Sequence, residues 1–103
     1  MARREITASL LADIKADLDI TWKDSATDSK VTNLIQGGIT YLNGKYGGEA
    51  DYESDGLPRI LLFEYVRYAR DKALDVFENN YTALILAMQN QKAVNDYEEV
   101  ENA

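Results

Sequence analysis

The 103-residue sequence contains no cysteine and no histidine, and only one proline (Pro58) and one tryptophan (Trp22). Without cysteine there is no disulfide, no thiolate nucleophile and no thiolate metal ligand. Without histidine there is no side chain that titrates near neutrality unperturbed, and the commonest zinc ligand is missing. Structural zinc sites and Cys–His or Ser–His catalysis are therefore excluded. Long apolar runs are also lacking. The longest, Ala83–Met88, is six residues, against about 20 for a helix that crosses a bilayer. The opening Met1-Ala2-Arg3-Arg4-Glu5 lacks the apolar core of a secretory signal. The expectation is a soluble protein of a reducing, intracellular compartment. Positive charge is scarce too: 11 Lys+Arg against 18 Asp+Glu give a net charge of −7. Such a chain is poorly suited to binding nucleic acid by neutralising phosphates.

What is present suits one small folded domain. Hydrophobic residues make up 46% of the chain, too many for a disordered segment. The acids are unevenly placed. Glu49, Asp51, Glu53 and Asp55 form one cluster, and Asp96, Glu98, Glu99 and Glu101 form a second near the C-terminus. The rest of the chain is close to neutral. Residues 1–92 read as a helical body and residues 93–103 as a flexible acidic tail.

The apolar periodicity is helical throughout, and no stretch alternates convincingly like a strand. Ile6, Leu10, Leu11, Ile14 and Leu18 form a first stripe, with Thr7 as N-cap and Ile6 and Leu11 as a hydrophobic staple. Asp19-Ile20-Thr21-Trp22 breaks the pattern as a connector. Ser25-Ala26-Thr27-Asp28 fits a capping box that opens a second helix bearing Val31, Leu34, Ile35, Gly38, Leu42 and Tyr46. Gly47-Gly48 should end it. A third, long central helix is expected from Leu57, with Pro58 preorganised at its first turn, to Phe77. Its stripe is Leu61, Leu62, Tyr65, Val66, Ala69, Ala73 and Val76. Asn79-Asn80 should interrupt the chain and cap a fourth helix from Tyr81 to Gln91. The expected fold class is all-α, a four-helix small domain.

No group of residues marks out a reaction. Asp51-Tyr52-Glu53-Ser54-Asp55-Gly56 echoes the start of a calcium loop, but position three is Glu, and position twelve, which should be a bidentate Glu, is Leu62. Glu64, Asp71 and Asp75, near Arg67 and Lys72, read as a solvent-facing ion-pair lattice. No catalytic residue, cofactor or metal is expected, and no enzyme.

Two features exceed what a plain core needs. Gly37-Gly38 stands in mid-helix, where each glycine costs about 1 kcal/mol relative to Ala. Gly38 lies on the apolar stripe and suits close approach of another helix, whereas Gly37 lies off it and is either a tolerated weak spot or bend or a candidate for a contact between subunits. The second feature is a seam on the far side of the third helix: Ile60, Phe63, Arg67, Arg70 and Leu74, spaced three, four, three and four. Apolar ends around two arginines suit a subunit interface. The alternative is that the fourth helix or the tail folds over that side.

Leu10–Lys15 with Leu18–Trp22, Gly38–Asn43, Gly56–Pro58 with Tyr65–Arg70, and Asp75–Tyr81 together resemble the head–tail connector (adaptor) proteins of tailed phages and prophages. The resemblance covers residues 8–90 and rests on scaffold and interface positions. It implies a structural virion protein that forms a ring, dodecameric in the assembled particle, below the portal. The ring would extend the DNA channel and dock the next neck or tail-completion protein. Its partners would be further copies of itself, the portal and that neck protein. DNA would pass through without being read. The location implied is the virion neck, after assembly in the host cytoplasm. Glu49, Asp51, Glu53 and Asp55 are then candidates for the channel lining, where like charge denies DNA any grip. Two other classes fit the composition: a small acidic helical regulator or DNA mimic, and a helical subunit of a cytosolic enzyme complex.

Overall fold

The computed structural model describes residues 6–101, and these form four α-helices and no strand. No helix among the described residues is long and apolar enough to cross a membrane. Helix α1 spans Ala8–Asp17, α2 Ser25–Tyr46, α3 Leu57–Arg70 and α4 Leu74–Glu101. The first helix starts as its sequence demands: the Thr7 hydroxyl accepts the Leu10 N–H at 3.0 Å. It ends where Asp19 turns to φ 60° and the Ile20 N–H reaches back to the Lys15 carbonyl at 2.9 Å. That turn sends Ile20 into the core and leaves Trp22 outside.

The N-cap of α2 is Asp24, one residue before the expected Ser25. Its carboxylate accepts from both the backbone N–H and the hydroxyl of Thr27. Those bonds hold its pKa below the usual carboxylate range, the Thr27 hydroxyl contributing most. Asp28, freed from the expected capping box, pairs instead with Lys15 of α1 at 2.6 Å. The stop at Gly47 is as expected: it adopts φ 85°, and both it and Gly48 donate to the Asn43 carbonyl.

The larger correction concerns α3, which ends at Arg70 and not at Phe77. Lys72 takes φ 59°, donates to the Ala69 carbonyl, and lets Ala73 donate to the Tyr68 carbonyl. A lysine here fills the left-handed position that glycine usually occupies, so no glycine announces the stop. The chain reverses, and Asn79 and Asn80 lie inside α4, which starts at Leu74 and is the longest helix. The reversal explains the burial pattern. Phe77 is fully buried, while Val76, expected on the α3 stripe, is 41% exposed.

The core runs through Leu10, Ile14 and Leu18 of α1, Val31, Ile35, Ile39 and Leu42 of α2, Leu61, Leu62 and Val66 of α3, and Phe77, Ile85 and Met88 of α4. Phe77 is ringed by Tyr41, Tyr65, Tyr68 and Tyr81, with centroids 5.1–6.3 Å away. Helices α2 and α3 meet at Gly38, where an added Cβ would lie 2.7 Å from Leu62 Cδ1 and 2.8 Å from Tyr65 Cδ1. This is the close approach expected of that glycine.

Beyond Lys92 the chain does not fray at once but continues α4 to Glu101, with residues 93–98 exposed. The last two residues of the expected tail, 102–103, lie outside the described residues.

Candidate functional site

The seam on α3 is divided by the fold. Arg67 donates to both the carboxylate of Asp17 (2.8 Å) and its backbone carbonyl (3.2 Å), and the Asp17 charge raises its pKa. Arg70 donates to the Leu18 carbonyl at 3.2 Å. Both guanidinium groups thus satisfy the carbonyl end of α1, where a helix leaves acceptors unpaired and favours cations. The element that covers that side is α1, not the fourth helix or the tail. Leu74 has left α3 altogether and sits, 37% exposed, at the start of α4.

The other half of the seam stays open. Ile60 is 50% exposed, and Phe63 is partly buried against the core. The Arg59 guanidinium lies over the Phe63 ring at 4.7 Å and is fixed by Asp13 (2.8 Å) and the Tyr52 carbonyl (3.1 Å). These side chains, with Asp17, Asp55, Gly56 and Glu64, line an open groove of about 360 Å³ between α1, α3 and the loop before it. Its floor is apolar and its rim acidic. Asp17, Asp55 and Glu64 line it with Arg59; beside it Asp13 pairs with Arg59, and Arg67 pairs with Asp17 and, at 3.9 Å, with Glu64.

The 49–55 loop is not a plain solvated run of acids. Ala50 and Tyr52 are buried while Glu49, Asp51 and Glu53 point outward. Asn43 of α2 pins it, since its side-chain oxygen accepts both the Ala50 N–H (3.1 Å) and the Tyr52 hydroxyl (2.7 Å). The four acids then do different things. Asp51 accepts the Glu53 and Ser54 N–H groups. Those bonds and the Ser54 hydroxyl, which contributes most, keep its pKa below the usual range. Glu53 accepts the hydroxyl of Thr7 at 2.7 Å. Asp55 reaches the groove, and Glu49 is exposed. Among the described residues no group of three or more potential metal ligands forms. The calcium-loop echo is used as a turn.

The period-2 alternation of Ala50 and Tyr52 with acids is the signal that could have shown the loop to be packed. Asn43, in the last turn of α2, gave no such sign. Loop and tail also leave the body at the same end. Gln89 of α4 donates to the Lys45 carbonyl at 2.9 Å, and a Cβ on Gly48 would stand 3.8 Å from Lys92 Cε. The two acidic clusters of the sequence thus start from one pole.

Gly37 is exposed, and a Cβ there would meet only the Tyr65 hydroxyl, at an ordinary 3.5 Å. Further apolar side chains stand in solvent elsewhere: Trp22 on the connector, and Leu86, Val94 and Tyr97 along α4. The Trp22 indole donates to the Thr27 hydroxyl at 3.3 Å, which ties it to the first turn of α2. Comparison with protein-family models, curated proteins and solved structures found no match for this chain.

Proposed function

We propose that this chain is a structural subunit of a phage or prophage head–tail connector, a ring below the portal that extends the DNA channel and docks the next neck protein. The observation that carries the reading is the exposure of large apolar side chains on three separate parts of a small helical body. These are Trp22 on the connector, Ile60 in the groove, and Leu86, Val94 and Tyr97 on α4. A subunit that meets neighbours on both sides and a further protein at one end needs several such surfaces. The resemblance read across residues 8–90, which the comparisons do not extend, supplies the type of assembly.

The charge distribution supports the same reading. Arg59, Arg67 and Arg70 are spent on the protein's own helix end and carboxylates, while the acidic loop and the end of α4 leave the body at one pole. Glu49 and Asp51 at that pole, both exposed, offer DNA no phosphate contact. A DNA mimic would instead need carboxylates ranked along the body at phosphate-like spacing. The test is sedimentation of the purified chain alone and then with a purified phage portal protein. Incorporation into a portal-bound ring supports the proposal, and a chain that ignores the portal refutes it.

A further inference from the structure

We propose that the groove between α1 and α3 receives the Trp22–Lys23 corner of a second copy of this chain. The inference rests on the reading of the chain as an assembling subunit, and names the surfaces that would meet. The groove asks for a particular occupant. Its floor of Ile60 and Phe63 calls for an apolar plate, and its surplus of carboxylates over guanidinium groups calls for a cation beside that plate. Arg59 is matched by Asp13, and Arg67 by Asp17 and, at 3.9 Å, by Glu64, which also accepts the Tyr81 hydroxyl. That leaves Asp55 to face an incoming base, in a group whose four carboxylates exceed its two guanidinium charges.

Trp22–Lys23 offers that pair in adjacent positions. The indole is 50% exposed, although tryptophan is the side chain that gains most from burial at an interface. It is also held in place, since its N–H is bonded to Thr27, whose hydroxyl in turn donates to the Asp24 cap at 2.8 Å. A preordered anchor loses little rotamer freedom on docking. Lys23 is exposed and forms no ion pair among the described residues.

The same chain does not satisfy its own groove: Trp22 is bonded to the start of α2, whereas the groove lies between α1 and α3. Anchor and groove are different surfaces, so each copy can give one contact and take one. Such a head-to-tail contact repeats, and it closes into a ring when the rotation allows.

Because Trp22 is the only tryptophan, its emission reports the contact. Ile60→Lys spoils the groove but keeps the anchor; Trp22→Ala keeps the groove and carries no tryptophan. Both positions are exposed, and circular dichroism with thermal melting verifies that each variant folds. Ile60→Lys alone should emit as a solvent-exposed indole at every concentration. Adding Trp22→Ala should shift that emission to the blue and yield a one-to-one dimer in sedimentation, weakened by added salt. Adding the double variant Trp22→Ala/Ile60→Lys should do neither. An unchanged spectrum and monomers in the first mixture, up to roughly 1 mM, overturn the proposal. Rings seen by electron microscopy with Trp22 outside every contact overturn it too, and leave the connector reading standing. A blue shift in a chain that ignores the portal does the reverse.

Discussion

Gly38 of α2 faces the ring of Tyr65 so closely that a Cβ at Gly38 would lie 2.8 Å from Tyr65 Cδ1 and 3.3 Å from Cε1. With Leu62 Cδ1 at 2.7 Å on the same side, α2 and α3 have no room for a methyl group. The neighbouring Gly37 has that room. Gly38→Ala should therefore destabilise the fold by about 1–3 kcal/mol through overpacking. Gly37→Ala should stabilise it by about 0.5–1 kcal/mol through helix propensity. Urea denaturation of the two variants checks both signs. Equal effects would mean that the close approach does not set the packing.

The turn between α3 and α4 places Lys72 at φ 59°. A lysine in the left-handed region is strained, and glycine is not. Lys72→Gly should raise stability by about 0.5–1 kcal/mol, while Lys72→Ala, which keeps the strain, should change it little. Thermal melts of the pair separate backbone strain from loss of charge. Stabilisation by alanine as large as by glycine would place the cause in the charge.

Two tyrosine hydroxyls are bonded to carboxylates around Phe77: Tyr41 donates to Glu78 at 2.9 Å and Tyr81 to Glu64 at 3.1 Å. Burial first, and then the adjacent carboxylate, pushes each pKa up to about 12 from the usual 10.0. The folded protein keeps these protons after the unfolded chain has released its own. The corresponding stability is complete below pH about 10 and is lost as pH rises toward about 12. Chemical denaturation across that interval should show the decline, and Tyr41→Phe/Tyr81→Phe should flatten it. An equally steep decline in the double variant would assign it to other groups.

Local signals were legible in the sequence wherever a helix end is closed by its own neighbours. Thr7 at the start of α1 and Gly47 at the end of α2 act as their residue types and spacing indicate. The burial of Leu10, Ile14, Val31, Ile35, Leu61, Leu62 and Val66 follows from helical periodicity. Legibility ends where long-range contacts decide. Lys72 closes α3 without a glycine because the reversal buries Phe77 among four tyrosines, and that gain overrides the capping preference of Asn79 and Asn80. The seam arginines could not be assigned because their partners, Asp17 and Leu18, lie 50 and 52 residues away in sequence. Ile60 and Phe63 did mark an open surface, but its acidic rim depends on Asp17 arriving from α1.

The central claim is that this chain is built to assemble around a DNA channel. Cryo-electron microscopy of the chain bound to its portal tests that claim most directly. The account predicts a closed ring of copies coaxial with the portal, Ile60 buried between neighbours, and Glu49 and Asp51 on the side that faces the channel. Single copies scattered on the portal, or a ring whose acidic pole lies on its outer rim, would contradict it.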